Sequence, residues 1–126
     1  AKVEAIRLKV GEMMNLGDVK EKSVPKMMLV APPREGGAIT VRSLIPHRVH
    51  ASIGVLGAVS VATACLIEGS PAASVAKVPE GTTKTLGVEH PTGVTECVVT
   101  VDADGQPIEA GMLRTARKLM DGVVFG

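Results

Sequence analysis

The amino-acid sequence predicts an α+β fold, in which a mostly antiparallel β-sheet wraps around one central hydrophobic helix. The first observation is that residues 51–67 (ASIGVLGAVSVATACLI) carry no charge, whereas a helix at a protein surface keeps a polar stripe. The second is that β-rich runs flank this segment on both sides. We therefore expect a helix surrounded by protein on all sides. Its start should be open, because Ser52, Gly54 and Gly57 are small.

The elements before the central helix follow from hydrophobic periodicity and turn residues. Apolar residues recur at helical spacing in residues 3–14, and the glycine of Asn15-Leu16-Gly17 suits the left-handed cap that ends such a helix. Residues 26–31 (KMMLVA) and 38–45 have the character of strands, separated by the turn sequence PPREGG. We expect these two strands to pair as a hairpin.

The elements after the central helix form a β-meander. Gly69 and Pro71 end the helix, residues 73–78 and 85–89 follow, and residues 94–101 are a β-rich run. An Asp-Gly turn in DADGQP leads to the last two predicted strands, at residues 109–115 and 122–125. The sequence RTARK between them is either a helical turn or an irregular loop.

Composition bounds the function. The 126 residues are sized for one domain, and a formal net charge of +1 argues against nucleic acid or an anionic membrane as the main partner. Phe125 is the one aromatic residue, so stacking platforms for bases or sugars are absent. The uncharged run is at the short edge of membrane-spanning length and rich in small residues, so we expect no membrane span and a cytoplasmic location.

The two cysteines, Cys65 and Cys97, lie in apolar stretches. One disulfide would be allowed, but buried reduced thiols fit this setting better. Neither residue has a base close to it in the sequence, so we do not expect either to act as a nucleophile.

The start of the central helix is the best candidate for chemistry. Unpaired backbone N–H groups and the helix dipole make such an end suitable for carboxylates and phosphates. Ser52 can cap the helix, and Gly54 and Gly57 allow a ligand to approach the backbone. Alternatively, the glycines only permit tight packing of the helix on the sheet, and local features do not decide between these two interpretations.

Basic residues offer further candidates. The sequence HRVH, residues 47–50, has no Cys, Asp or Glu close by and is a poor metal site, so we expect neither metal nor cofactor. A cation such as His50 beside the helix start would strengthen carboxylate binding. Arg114 and Arg117 are a second anion-binding option, or else a solvated basic turn. His90 precedes a Pro turn and is most simply structural.

Four blocks of the sequence resemble a known family: VPKMMLVAPP, IPHRVHASIGVLGAVSVATACLIEGS, GVEHPTG and LRTARKLMDGVVF. They are similar to the C-terminal half of PrpF-type isomerases, which include 2-methylaconitate isomerase, 4-oxalomesaconate tautomerase and related aconitate isomerases. The blocks occur in the family's order and cover nearly the whole chain. The resemblance implies a diaminopimelate epimerase-like fold, in which two similar domains each enclose a central helix and the active site lies between them.

By this resemblance, residues 1–126 are a single domain, the C-terminal half of a two-domain isomerase that shifts an allylic proton in unsaturated di- or tricarboxylates. The chain would be the half that binds a substrate carboxylate. The substrate-binding residues implied are His50, Ser52, Gly54, Val55, Leu56 and Gly57 at the helix start, with Arg114 and Thr115 reaching the cleft from the final strand.

Two departures from the family pattern limit this assignment. Aligning Leu56-Gly57-Ala58 with the Thr-Gly-Ala of the epimerases puts Gly54 where those enzymes have an acid/base cysteine, which favours a one-sided proton shift. The family's acid/base Cys and Lys belong to the N-terminal domain, so no residue here is assigned a catalytic role and the isolated chain should be inactive. The expected partners are a small carboxylate substrate and that missing domain, with homo-oligomers left open.

Two other functions stay open beside this one. The chain could be a non-catalytic binding or assembly domain of the same fold, or part of an amino-acid epimerase-like enzyme. Gly54 counts against the epimerase.

Overall fold

The computed structural model describes residues 2–125 and confirms an α+β fold. In chain order the elements are α1 (Lys2–Met13), β1 (Met27–Ala31), β2 (Ile39–Ile45), β3 (Arg48–Val49), α2 (Val55–Ala64), β4 (Thr83–His90), β5 (Gly93–Val101) and β6 (Pro107–Met112). The strands form one sheet in the order β1-β2-β4-β5-β6, with β3 paired to β2. Every pairing is antiparallel except the short parallel one between β2 and β4.

The predicted hairpin is present. Strands β1 and β2 pair from Met27 opposite Leu44 to Ala31 opposite Thr40, and the PPREGG turn connects them. The β4–β5 hairpin is longer and turns at the HPTG sequence, where His90 lies opposite Gly93. Gly93 has a φ of 147°, in a region that favours glycine.

Helix α2 packs on one face of this sheet through small side chains. Ala58 and Ala62 are completely buried, and the helix contacts β4, β5 and β6. Alternate residues of the strands supply the other side of the core, because successive side chains of a strand point to opposite faces. The strand residues of this layer include Leu86, Val88, Cys97 and Val99.

The expectation that protein surrounds α2 on all sides is wrong for its first turn and outer face. Leu56 is 82% exposed, and Val55 and Ser60 are exposed as well. The helix also covers only Val55–Ala64 of the uncharged run. The reason is that the sheet covers one side of the helix, and the described residues provide no second layer. Among these residues no helix is long and apolar enough to span a membrane.

Helix α1 packs differently from its apolar pattern. Its buried residues are Arg7 and Gly11, whereas Ile6 is 52% exposed and Met13 is 77% exposed. The helix packs on the loop that follows it, because the Arg7 guanidinium donates hydrogen bonds to the carbonyls of Lys22 (3.2 Å) and Val24 (2.6 Å). A polar anchor to a loop therefore holds the helix, and part of its apolar face is exposed.

Two strands predicted near the end of the chain differ from the structure. The strand expected at residues 109–115 lies at Pro107–Met112, and residues 122–125 form no strand. Val123 is 78% exposed and Phe125 is 93% exposed. Because a strand needs a partner for its backbone N–H and C=O groups, an apolar sequence without an adjacent strand does not form one.

A buried carboxylate fixes the loop between β1 and β2. Glu89 is 3% exposed and accepts hydrogen bonds from the N–H groups of Arg34 (2.8 Å), Glu35 (2.7 Å) and Gly37 (2.8 Å), and from the Thr40 hydroxyl. Burial alone would raise the pKa of this carboxyl, but the hydrogen bonds outweigh it and lower the pKa to about 2. Glu89 is therefore ionised at neutral pH and ties the loop to the end of β4.

Candidate functional site

Strand alternation brings two polar side chains to the start of α2. On β4, Leu86 and Val88 belong to the core beneath α2, and His90 is the next residue on the same face. On β5, Thr95 lies opposite Val88 and shares the face of Cys97. The core layer therefore ends in His90 and Thr95, at the edge of the sheet that is close to the residues preceding α2.

The first turn of α2 leaves backbone donors free. Gly54 is the N-cap, with φ −73° and ψ 155°, and no side chain caps it. The first hydrogen bond of the helix runs from the N–H of Ala58 to the carbonyl of Gly54 (2.9 Å). In residues 2–125 the N–H groups of Val55, Leu56 and Gly57 have no acceptor. The predicted capping by Ser52 is wrong, because the Ser52 hydroxyl lies near a histidine instead.

Ser52 lies between two histidines. Its backbone N–H donates to Nδ1 of His50 at 3.0 Å, and its Oγ is 3.5 Å from Nε2 of His90. His50 was predicted to lie beside the helix start, and this contact places it there. Because its Nδ1 accepts a backbone proton, the neutral His50 ring carries its own proton on Nε2 and can donate it.

His90 was not predicted as a site residue, yet it lies at the centre of this cluster. Its Nε2 is 3.1 Å from the Thr95 Oγ1, and the turn that follows is tied to the loop before α2 by a bond from the Thr92 hydroxyl to the carbonyl of Ala51 (2.9 Å). One signal could have found His90: it directly follows the predicted run at residues 85–89, and one more strand residue would place it on the face of Leu86 and Val88.

Two arginines, Arg42 and Arg48, lie near the cluster. Burial lowers the pKa of His90, and the nearby His50 and Arg42 lower it further, so its ring is neutral at neutral pH. Arg48 and His50 line a small surface depression of about 290 Å³ that also includes Ala51. These groups add to the positive end of the α2 dipole and favour an anion.

Arg114 and Thr115 lie after the final strand, not on it, because β6 ends at Met112. They line an open groove of about 410 Å³ together with Thr95 and Glu96. Among the described residues, no hydrogen bond joins Arg114 or Thr115 to the residues before α2. Thr95 therefore connects this groove to the histidine cluster, since it lines the groove and also contacts His90.

The two glycines at the start of α2, Gly54 and Gly57, differ in how much space surrounds them. A Cβ on Gly57 would lie 2.7 Å from the terminal methyl group of Met28, so glycine there allows close packing. A Cβ on Gly54 would meet nothing within 4 Å. Packing explains Gly57 in part but does not explain Gly54, whose position is open to an approaching ligand.

Neither cysteine belongs to this site. Both are free and buried, and Cys65 is the C-cap of α2, at the opposite end of the helix. Burial raises the pKa of Cys65 to about 11 and also raises the pKa of Cys97, so both thiols are protonated at neutral pH. Within the part of the chain that the structure describes, no three His, Cys, Asp or Glu side chains are grouped to hold a metal ion.

A second groove, of about 500 Å³, lies around Gly37 and Gly87. Its charged lining residues are Glu35, Glu96 and Lys77, so its formal charge is negative. This balance suits an anionic ligand less well than the start of α2 does.

The tie between the HPTG turn and the loop before α2 can be tested with Thr92→Val. The change removes the bond to the Ala51 carbonyl, and we expect the free energy of unfolding to fall by about 1 kcal/mol. The amide of Ser52 should exchange with solvent faster, because its loop is less restrained. Thr85→Val is the matched control, since Thr85 is exposed on β4. Equal exchange at Ser52 in both variants would contradict the prediction.

Comparison with known proteins assigns this chain to a family. The chain matches the family described as PrpF protein over residues 1–126. It is 76% identical over 125 residues to the (4E)-oxalomesaconate Delta-isomerase of Novosphingobium sp. (strain KA1), covering 99% of this chain and 35% of that protein. It is 56% identical over 124 residues to the 4-oxalomesaconate tautomerase of Pseudomonas putida, covering 98% of this chain and 34% of that protein.

A solved structure shows the same fold. The crystal structure of a methylitaconate-delta-isomerase superimposes with a TM-score of 0.80 at 22% sequence identity, over 97% of this chain and 36% of that one. The chain thus spans about a third of the length of the proteins that it matches. With a family match over residues 1–126 and two relatives above half identity, the chain belongs to the PrpF family.

Proposed function

We propose that this chain is the carboxylate-binding part of an isomerase that moves a double bond, or tautomerises, in an unsaturated di- or tricarboxylate such as an aconitate-type acid. One observation carries the proposal: three backbone N–H groups at the start of α2 lack acceptors among residues 2–125, a few positions after Arg48 and His50. The names of the relatives, an oxalomesaconate isomerase and an oxalomesaconate tautomerase, support the same class of substrate.

The donors of the site would act together on one carboxylate. The N–H groups of Val55, Leu56 and Gly57 would bind its oxygens, and the open position of Gly54 would let the anion approach the backbone. When a proton leaves the adjacent carbon, negative charge spreads onto this carboxylate. Fixed donors and a helix dipole stabilise that charge without having to reorient, which is the main electrostatic contribution expected of such a site.

Transfer of the proton would need groups from outside this chain. Gly54 has no side chain, and the two thiols are protonated, buried and away from α2's first turn. We therefore propose that a residue of another domain takes the proton from one carbon and returns it to another on the same face. An allylic shift of this kind needs no cofactor. Gly54 also counts against a two-thiol amino-acid epimerase.

The missing groups would come from an N-terminal domain. We propose that residues 1–126 are the C-terminal domain of a two-domain cytoplasmic isomerase, with the start of α2 and the residues after β6 facing the cleft. The exposed first turn of α2 and the exposed apolar residues after Met112 support this arrangement. In the isolated chain the same surfaces favour self-association. The reading frame upstream of Ala1 would show whether such a domain, with its acid/base Cys and Lys, exists.

Binding of cis-aconitate to the isolated chain tests the proposal. In a nuclear magnetic resonance titration we expect the largest shifts at the amides of Val55, Leu56 and Gly57. The trimethyl ester of the same acid is the control, because it keeps the shape and loses the charges. Absence of binding, or equal binding of acid and ester, would overturn the carboxylate site.

The same sample tests the assignment of proton transfer to another domain. We expect no migration of the double bond when aconitate isomers are followed in the ultraviolet. Turnover above the buffer rate by the isolated chain would show that its own residues move the proton.

A second candidate function is a non-catalytic assembly domain of the same fold. The observation that favours it is the exposed apolar sequence at the end of the chain, where Leu119, Met120 and Phe125 are each more than four-fifths exposed. Tight self-association without any binding of cis-aconitate would support this candidate over the isomerase.

A further inference from the structure

The contacts around His90 favour one position for the proton of its neutral ring. The backbone N–H of Thr92 points at Nδ1 of His90 from 3.4 Å. The Thr92 hydroxyl is also close, at 3.3 Å, but its proton is donated to the carbonyl of Ala51. Since a backbone N–H can only donate, its contact favours Nδ1 as an acceptor and the proton of the neutral ring on Nε2, whereas the Thr92 oxygen alone would accept a proton on Nδ1.

This tautomer sets the direction of the Thr95 hydroxyl. The Nε2–H of His90 donates to the Thr95 Oγ1 at 3.1 Å, and the Ser52 Oγ is the more distant neighbour at 3.5 Å. A hydroxyl that accepts a proton from the ring must direct its own proton elsewhere. Thr95 lines the same groove as Arg114, so its O–H is available to an anion held there.

His50 repeats the pattern on the other side of Ser52. Its Nδ1 accepts the N–H of the residue two positions ahead, as His90 does with Thr92. Both rings are therefore held as Nε2–H donors. Two independent turns thus use a backbone N–H to fix an imidazole next to the first turn of α2.

We propose that His90 is a positioning residue of the carboxylate site, whose Nε2–H tautomer keeps the Thr95 hydroxyl as a donor toward the substrate. The inference rests on the proposed function, because it assumes that an anion binds at the start of α2. The charged and titratable groups acting on the ring are His50 and Arg42. A doubly protonated ring would place a proton against the Thr92 N–H, so this arrangement requires the neutral ring.

Two substitutions separate positioning from simple packing. His90→Gln keeps an N–H donor at about the reach of Nε2, whereas His90→Leu fills similar space without a donor. We expect His90→Leu to weaken cis-aconitate binding about tenfold, the equivalent of one net hydrogen bond, and His90→Gln to stay within about threefold of the wild type. His47→Leu, an exposed histidine in the turn between β2 and β3, is the control and should bind normally.

The tautomer itself is measured by long-range ¹H–¹⁵N correlation on the unliganded chain, which requires no ligand. A proton on Nδ1 of His90 would overturn the inference. So would equal affinities for the wild type and a folded His90→Leu. Should His90→Leu fail to fold, a tenfold loss in His90→Gln would overturn it instead. Failure of the wild type to bind cis-aconitate would overturn the proposed function as well. A result seen only in the His90 variants or in the His90 tautomer would overturn this inference alone.

Discussion

Glu89→Gln is expected to lower the free energy of unfolding by about 3 kcal/mol, because it replaces an ionised acceptor that receives four hydrogen bonds in a buried place. The amide of Gln has one oxygen to offer. Its NH₂ group would face N–H donors of the PPREGG loop, which cannot accept its protons. The loss is measured by urea denaturation of the two proteins.

Glu96→Gln is the matched control for this prediction. Glu96 is on the adjacent strand β5 and exposed, so the same chemical change should cost less than about 0.5 kcal/mol. If the two variants were equally stable, the carboxylate of Glu89 would not be what holds the loop. Because His90 is the next residue along β4, a displaced Glu89 should also shift the resonances of the His90 ring.

The stabilisation by Glu89 depends on pH in a defined direction. Burial raises its pKa, but the hydrogen bonds lower it by more, so the folded pKa of about 2 is below the ordinary value of 4.5. For a depressed pKa, the contribution to stability is complete above pH 4.5 and is lost as the pH falls toward 2. The wild type should therefore lose stability over this interval more steeply than Glu89→Gln does. Parallel pH profiles would contradict the assignment.

Ala62→Leu is expected to lower the free energy of unfolding by about 2 kcal/mol, through overpacking between α2 and the sheet. Ala62 is completely buried, on the face of the helix that contacts the strands. The larger side chain must move the helix outward. Since the free N–H groups are in the first turn of this helix, we also expect weaker binding of cis-aconitate.

Ser60→Leu provides the comparison on the same helix. Ser60 is exposed, so the added side chain has room and should change stability by less than about 0.5 kcal/mol. Thermal or urea unfolding of both variants measures the difference. A tolerated Leu at position 62 would show that the helix does not lie close to the sheet, contrary to the packing described above.

Much of the fold could be predicted because local patterns agreed with tertiary packing. The uncharged run around Ala58 and Ala62 has no polar stripe, which predicted burial against a sheet. The PPREGG turn predicted the first hairpin, and the Asn15-Leu16-Gly17 sequence predicted a left-handed end of α1, although the residue that closes the helix is Asn15 (φ 58°) and not Gly17 (φ 68°). In each case the signal is contained within a few consecutive residues.

Other predictions failed because the answer depended on distant residues. The apolar pattern of α1 did not show that Arg7 would anchor the helix to the carbonyls of Lys22 and Val24. The apolar character of residues 122–125 did not provide the adjacent strand that a strand needs. Periodicity describes which face of an element is apolar, but not what that face meets.

The candidate site likewise has features that the sequence predicts and features that depend on distant residues. The sequence by itself determined that a helix with a small, uncharged start is present, that Gly54 offers no side chain for chemistry, and that the chain resembles PrpF-type isomerases. Only the tertiary structure decided that this start is uncapped and that Ser52, His90 and Thr95 meet beside it. His90 is 38 residues from Ser52 along the chain, and a contact over that separation exists only once the β4–β5 hairpin has packed beneath α2.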